Sequence, residues 1–475
     1  MSDRDVDVIV VGSGAAGLAA AVTAAEAGAN VLMAESEDVV GGSSRVSSGM
    51  LMGAGTRHQR ANGIEDSPDD LYREYLQLNQ WQVDPGLVRR LAVDSGPVIE
   101  WLEELGVVFH ATLSFGGEES RPRTHLPVDL GAGIIEVLHR EARSLGVEVA
   151  LRRRVDRLLT QGPAVVGVAV GEDELRAHAV VIASGGFGAS VEKLRMFFPR
   201  ATETGDWMWY MGAEGARGDA LDLAAQVGAQ LAGHGRGLCF LTPNFVREYE
   251  ATLPGWILLV NKKGQRFCDE TSAYGVLDRL VDVNGGRAYV IFDEAARRAA
   301  PAGEPAQYRQ SNPSMPGRRS PNWNDEMIAA MAEKGVLVSA SSIASLAGRL
   351  HLPVEVLAGT VHRYNTLVAQ GEDRDYLKDA RFLRPVAEPP LYGAEVRPAT
   401  VALTSAGLRI DSDGRVLTTG GDVIPGLFAA GECTGGVLGD IYIGSGNSFS
   451  NCLVFGRAAG RGAAAVARAG RATTS

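Results

Sequence analysis

Cysteine is scarce in this 475-residue chain. The four that occur, Cys239, Cys268, Cys433 and Cys452, lie far apart and form no Cys-x-x-Cys pair. That spacing argues against a disulfide framework or a thiol-bound metal, so reduced thiols and no metal are expected. No long basic run interrupts a net charge of −11. The positive stripe that nucleic-acid binding requires is missing, and no nucleic-acid partner is expected. Long apolar runs are missing too. Ala15 to Ala27 is broken by Gly17 and Glu26 and is shorter than the ~20 residues that span a bilayer, so no membrane span is expected. The start, Met1-Ser2-Asp3-Arg4-Asp5, lacks a basic segment leading into an apolar run and a cleavage site. The expectation is no signal peptide and, by default, a cytoplasmic location. No haem-attachment motif of the type Cys-x-x-Cys-His occurs, which predicts an external electron acceptor or donor. There is no internal repeat, and the Ala/Arg-rich tail is the one biased segment.

Glycine, in contrast, is abundant, with 59 residues, many in short clusters between apolar runs. Such clusters suit places where backbone must approach a ligand closely. Apolar residues at 45% and charged residues at 22% are ordinary for a globular enzyme. The length exceeds one compact core and predicts two domains, or three.

Val8 to Val11 reads as a buried parallel strand. Gly12-Ser13-Gly14-Ala15-Ala16-Gly17 follows, then an Ala-rich helix that Gly28 stops, then a second strand, Val31 to Ala34, ending at Glu35. Two helices are predicted within Arg73 to Gly106 and one at Ile134 to Leu145. A strand is expected at Val147 to Leu151, a hairpin through Val165–Val170 and Leu175–Ile182, and a helix at Ala220 to Ala229. From about Phe240 to Pro390 prolines and aromatics rise, and Pro301 to Asn324 reads as irregular. Helices are predicted there near Asp325–Lys334, Ile343–Leu350 and Val354–Gln370. Asp411-Ser412-Asp413-Gly414 is a turn signal. A small-residue helix, Ser448 to Ala467, closes the chain.

A lone G-x-G-x-x-G is weak. Here it follows a strand, opens a helix, and is followed by an acidic residue closing the next strand, which is the full dinucleotide fingerprint. Gly12 and Gly14 let backbone N–H groups reach a pyrophosphate, and Gly17 lets helix and strand pack closely. The helix presents its positive end to the phosphates, and Glu35 is placed to accept from ribose hydroxyls.

Three later segments choose between dinucleotides: Gly41-Gly42-Ser43-Ser44, Val181-Ile182-Ala183-Ser184-Gly185-Gly186-Phe187-Gly188 and Gly426-Leu427-Phe428-Ala429-Ala430-Gly431-Glu432. With Gly215-Ala216-Arg217-Gly218-Asp219, they resemble the FAD family that includes fumarate reductases, succinate dehydrogenase flavoproteins and 3-ketosteroid dehydrogenases. The resemblance covers nearly the whole chain. It implies an α/β fold: a discontinuous Rossmann-type FAD-binding domain, residues 1–240 and 391–475, with an inserted α+β capping and substrate domain at 241–390. It also implies FAD held through Gly12, Gly14, Ala15, Ala16 and Gly17, and through Glu35 and Ser36. Gly41, Gly42, Ser43, Ser44, Ser48 and Gly49 join that set, as do Val155, Ala183, Ser184, Gly185, Gly188 and Asp219. Gly431, Glu432, Gly446, Ser448 and Phe449 complete it. Some relatives attach FAD through a histidine near Ser43 to Arg45; none stands there, so non-covalent FAD is expected.

The reductases of this family clamp a dicarboxylate with Arg and His. At the positions that match, this chain carries Tyr274 after Asn261–Glu270, Tyr442 after Gly435-Gly436, and Leu403 before Thr404-Ser405-Ala406-Gly407. Carboxylate recognition needs the charged fork of a guanidinium, which Tyr does not supply. The replacements resemble 3-ketosteroid dehydrogenases: Asp269-Glu270-Thr271-Ser272-Ala273-Tyr274 and Tyr442-Ile443-Gly444-Ser445-Gly446. The resemblance implies that the Tyr442 hydroxyl and the Gly446 amide hold a ketone oxygen and that Tyr274 takes a proton, with Ser445 assisting. A phenol, with a pKa of about 10 in water, needs a polarising neighbour for that role. The further Tyr that ketosteroid enzymes often carry in the first domain has no counterpart in Phe109 to Phe115. His125 reads as a pocket or loop-anchor residue, Cys433 as a packed one, and Trp207, Trp209 and Tyr210 as pocket wall or core.

These readings predict desaturation of a small apolar ketone at its α,β bond, or reduction of the enone. The alternatives are a fumarate-reductase-like reductase of an unsaturated acid, with Arg217, Arg236 or Arg247 as the clamp, and a non-catalytic flavin carrier.

Overall fold

β1 (Val6–Val11) is buried from Asp7 to Val11, as a strand covered on both faces must be. In the computed structural model, which describes residues 5–299 and 319–474, it lies inside a parallel sheet. α1 (Ala15–Glu26) and β2 (Val31–Ala34) complete the first crossover. α2 (Pro68–Leu78) and α3 (Pro85–Glu104) follow, then α4 (Leu130–Ser144) and β3 (Glu148–Ala150). β4 (Arg157–Gln161), β5 (Ala164–Val170) and β6 (Asp173–Ile182) form a meander, one strand more than the sequence predicts. α5 (Asp219–Gln226), β7 (Arg415–Leu417), β8 (Val423–Ala429) and α6 (Asn447–Thr474) finish this unit.

The strand order is β7-β8-β6-β1-β2-β3, with β4 and β5 attached beside β6. β8, β6, β1, β2 and β3 run parallel, and only β7 opposes its neighbour along this path. The register sets Val8 beside Val31 and Ala179, so β1 sits centrally. Small residues decide how the helices pack. A Cβ on Gly456 would come within 2.4 Å of the Ala16 carbonyl oxygen, and one on Gly460 equally close to that of Ala20. Spaced four apart, the two glycines share one face of α6 and let it lie against the α1 backbone.

This unit comprises Met1–Pro199, Gly212–Gly237 and Leu403–Ser475; the second comprises Arg200–Met211 and Leu238–Ala402. Its sheet carries Leu258–Asn261 and Ala288–Asp293, the latter antiparallel to the long strand Leu391–Thr404. Composition placed the second boundary at 390. The chain leaves the second unit only at 402, because residues 391–396 pair in register with Asp293 back to Ala288. Arg200–Met211 joins this unit because Trp209 and Tyr210 pair with Thr400 and Val401, a long-range contact with no local signature. Of the stretch read as irregular, Pro301–Asn324, residues up to 318 lie outside the described residues.

Arg123 is fully buried in the first unit, in a segment whose next two residues pair with Leu51–Met52. Its guanidinium donates to both Asp66 oxygens, at 2.7 and 2.8 Å, and to Glu74 at 2.5 Å. Burial alone would raise the Glu74 carboxyl; hydrogen bonds from Arg123 and Ser120 outweigh it and hold the group below its ordinary value. Removing the cation strands two carboxylates, which typically costs roughly 3–5 kcal/mol. Arg123→Met is therefore expected to lower the melting temperature clearly at pH 7. A carboxyl lowered on folding contributes stability above its unfolded pKa of about 4.3, lost as pH falls through the folded value. The mutational penalty should accordingly shrink in melts below about pH 4.

Candidate cofactor and active site

Gly12 follows β1 with φ +100, and a Cβ there would sit 2.4 Å from the Ala183 carbonyl oxygen at the end of β6. Gly17 is closed more tightly, since its Cβ would fall 1.9 Å from the Gly12 oxygen. The loop thus lies flat across two strand ends with no side chain intervening. α1 starts beyond Gly14, with no side-chain cap and no acid in its first turn. Its positive end is open to an anion. Ser44 Oγ accepts the Ala15 N–H at 3.2 Å.

Glu35 is buried beside this loop. One carboxylate oxygen accepts from Ser13 N and Ser13 Oγ, at 2.8 and 2.5 Å; the other accepts from Glu37 N at 2.8 Å. Glu37 in turn accepts the Gly215 N–H at 2.7 Å. Arg154 meets Asp219 at 2.7 Å; burial nonetheless raises the Asp219 carboxyl. Glu432 is raised by burial against the two hydrogen bonds it accepts from Thr404, at 2.8 and 2.9 Å.

Glu35, Glu37, Arg154, Gly215, Asp219 and Glu432 line one open cleft. Of the residues expected from sequence, Gly12, Gly14, Ala15, Ala16, Glu35 and Ser36 line it, as do Gly42, Ser43 and Ser44. So do Val155, Ala183, Ser184, Gly185, Asp219 and Glu432. Gly17 packs behind the loop, Gly41 donates to Ser13 Oγ at 3.1 Å, and Gly49 turns at φ +67 against Gly131. Ser48, Gly188 and Gly431 are not in the lining, nor are Gly446, Ser448 and Phe449 at the start of α6. Sequence reading missed Ser13, Glu37, Arg153, Arg154, Ala213 and Cys452, which also line it. Ser13 is the variable position of the glycine motif, and Arg154 pairs across 65 residues, so neither carried a local signal.

The residues present fit FAD. Ser184 Oγ is buried against this cleft without a hydrogen-bond partner among the described residues. The helix start, where Gly14 supplies no capping side chain, suits a pyrophosphate, and the glycines keep the approach clear.

The Tyr442–Gly446 loop precedes α6. Tyr442 Oη accepts the Ser448 N–H at 2.9 Å, satisfying one of the helix's unpaired first-turn donors. Gly446 has φ +96, and its Cβ would strike Leu51 at 2.5 Å. Asn447 Nδ2 donates to Tyr75 Oη, which donates to the Val437 oxygen, each at 2.9 Å. Burial pushes the neighbouring Glu119 carboxyl up to about 7. His125 is an anchor: buried between Thr56 Oγ1 and the Arg123 oxygen, both at 2.9 Å, with burial holding it down at about 4 and therefore neutral. Cys433 packs with its thiol against the Ile182 and Ala430 oxygens.

In the second unit, Tyr274 opens the helix Tyr274–Val283 and is buried edge-on to Phe240, centroids 5.2 Å apart. One turn on, Asp278 is held by Arg200 at 2.6 and 2.7 Å. Trp207 stacks under Arg397, and Trp209 and Tyr210 are half-buried strand residues.

The family described as FAD binding domain matches residues 7–449. The chain belongs to this family. An NADH:fumarate oxidoreductase of Klebsiella pneumoniae is 32% identical, over 98% of this chain and 48% of that protein. The chain thus spans about half the length of that relative. A fumarate reductase (cytochrome) of Shewanella frigidimarina is 31% identical over 97% of this chain and 77% of that one. The structure of a 3-ketosteroid-Δ4-(5α)-dehydrogenase from Rhodococcus jostii RHA1, in complex with 4-androstene-3,17-dione, matches with a TM-score of 0.79 and 28% identity, over 98% of each chain. FAD is the cofactor of this family member, and its reaction is oxidation or reduction at carbon–carbon bonds, of the fumarate reductase or the 3-ketosteroid dehydrogenase type. Among the described residues, no helix is long and apolar enough to cross a membrane, and no cluster of His, Cys, Asp or Glu is arranged to hold a metal.

Positive φ and backbone contact leave no room at Gly12. Gly12→Val is expected to lower FAD content, read from the absorbance of purified protein, by roughly tenfold or more, since strain of this kind costs about 1–3 kcal/mol before the clash is counted.

Proposed function

We propose that this FAD enzyme desaturates a small apolar ketone at its α,β bond, or reduces the corresponding enone. The observation that carries the reading is the Tyr442 hydroxyl, held by the Ser448 N–H in the first turn of α6, the helix that directly follows Gly446. A phenol that accepts one hydrogen bond donates its own more strongly. The Gly446 N–H belongs to the positive end of a 28-residue helix. Two neutral donors of this kind suit an oxygen that becomes negative only as the α proton leaves. FAD, when bound, supplies the acceptor for the β hydride, and its reduced form supplies the donor for the reverse reaction. Tyr442 and Gly446 hold the ketone oxygen as enolate character grows. Tyr274 takes the α proton, or returns it. Its place as first residue of a ten-residue helix is one where negative charge is favoured. Ser445 assists the proton transfer. An external electron carrier completes the cycle.

A carboxylate substrate finds less support. Arg236 is paired with Asp440 at 2.9 Å. Arg217 and Arg247 donate to the backbone oxygens of Glu214 and Asp206. His125 is buried and neutral, and the three positions of the reductase clamp carry Tyr, Tyr and Leu.

Losing one oxyanion donor typically costs roughly 10²–10³ in kcat. Tyr442→Phe should lose turnover by about that factor with FAD content unchanged; wild-type turnover would remove the oxyanion role. Reduced enzyme offered fumarate, an imidazole-substituted acrylate and cyclic enones should reoxidise with the enones alone. Reoxidation by the acids would favour the reductase reading. FAD is held non-covalently in this account, there being no histidine at Ser43–Arg45. Acid precipitation should leave the flavin in the supernatant.

A further inference from the structure

The segment 114–124 is built into the candidate oxyanion loop. Thr124 exchanges two backbone hydrogen bonds with Ser114, at 3.0 and 3.1 Å, closing the segment into an arm. The arm's tip is two glycines that tolerate no side chain. A Cβ on Gly116 would lie 2.4 Å from Thr124 Oγ1, and one on Gly117 would lie 1.9 Å from the Ile443 oxygen. Gly117 bridges Gly444, and the Gly116 oxygen accepts the Ser445 N–H at 2.9 Å. On the other side of the same residue, the Ser445 oxygen accepts from Thr124 Oγ1 at 2.8 Å. Glu119, buried, accepts the Gly116 N–H at 2.5 Å and so holds the glycine tip.

A peptide unit is planar and trans, so its C=O and N–H point in opposite directions. The Ser445 C=O and the Gly446 N–H share one such unit. The hydroxyl that holds the carbonyl therefore fixes where the amide points. Gly446 has little freedom to compensate, at φ +96 against the Leu51 backbone.

We propose that Thr124 and Glu119 are positioning residues that aim the Gly446 N–H, Thr124 by gripping the other end of its peptide and Glu119 by holding the Gly116–Gly117 tip against it. Neither touches substrate or cofactor in this assignment. The inference rests on the oxyanion reading above and deepens it.

The experiment uses FAD-loaded enzyme and p-nitrophenolate, whose anionic oxygen stands in for the enolate, with binding read from its absorbance shift. Thr124→Val removes the donor at nearly constant volume, and Thr124→Ser keeps it. The valine variant is expected to bind p-nitrophenolate about tenfold more weakly, the usual worth of one hydrogen bond to a charged group. Its kcat with a cyclic enone should fall by a similar factor, with KM within about twofold and FAD content retained. The serine variant should recover both. Wild-type binding and kcat in Thr124→Val, alongside a defect in Tyr442→Phe, would overturn the proposal and leave the oxyanion reading standing. A serine variant as impaired as valine would overturn it too, by showing that shape rather than the hydroxyl matters. Unchanged p-nitrophenolate affinity in Tyr442→Phe would sink the oxyanion reading and the inference with it. Should the valine variant lose FAD, Glu119→Ala against Glu119→Gln makes the same comparison: the alanine variant should show the defect and the glutamine variant, which keeps an acceptor for Gly116, should not. Equal behaviour of that pair would overturn the proposal.

Discussion

Backbone-to-backbone contact is the constraint on which the first unit depends. At Gly12, Gly17, Gly456 and Gly460 a single methyl group would fall 1.9 to 2.4 Å from a carbonyl oxygen. Those contacts bring α1 down onto β1 and α6 onto α1, so that the start of α1 borders the cleft and the first turn of α6 meets the Tyr442–Gly446 loop. Ordinary side chains would push the helices out by ångströms and pull the loops apart, because protein interiors have no slack to absorb such a shift. The abundance of small residues in the last helix follows from this packing.

Charge is handled differently in different places. Where the chain carries buried ions for structure, it neutralises them locally. Arg123 takes Asp66 and Glu74, Arg200 takes Asp278, and Arg266 and Lys378 share Glu270, with Asp373 beside Arg266. At the Tyr442–Gly446 loop the donors proposed for the substrate oxygen are neutral: a phenol and the amide that precedes α6. Such donors cost little to bury with a neutral ketone and gain strength as charge appears on its oxygen, the preference for the transition state over the ground state that catalysis requires. A guanidinium in the same place would favour a substrate charged from the outset.

Much of the first unit was legible from local pattern. The Gly12–Gly17 motif could be read because strand, turn and helix follow within a few residues and each has its own period. The helices Asp325–Glu333, Ile343–Arg349 and Val354–Gln370 were legible for the same reason. What stayed hidden was non-local: the extra strand β4, the transfer of Arg200–Met211 to the second unit, and the extension of that unit to 402. Each is decided by strand pairing between distant segments, which leaves no periodicity behind. The same holds within the site. Glu35 could be named from its distance to the glycines, whereas Ser13, Arg154 and Thr124 depend on partners 22, 65 and 321 residues away.

By itself, then, the order of residues determined the dinucleotide loop, the FAD family and the presence of Tyr274, Leu403 and Tyr442 rather than cations at three positions, because these rest on residue identity at short spacing. Tertiary structure alone decided that His125 is a buried neutral anchor, that Arg236 and Arg247 meet Asp440 and the Asp206 oxygen, and that the 114–124 arm grips the peptide before Gly446. Those facts depend on which groups meet across the fold, and hydrogen bonding and burial act through space without regard to sequence separation.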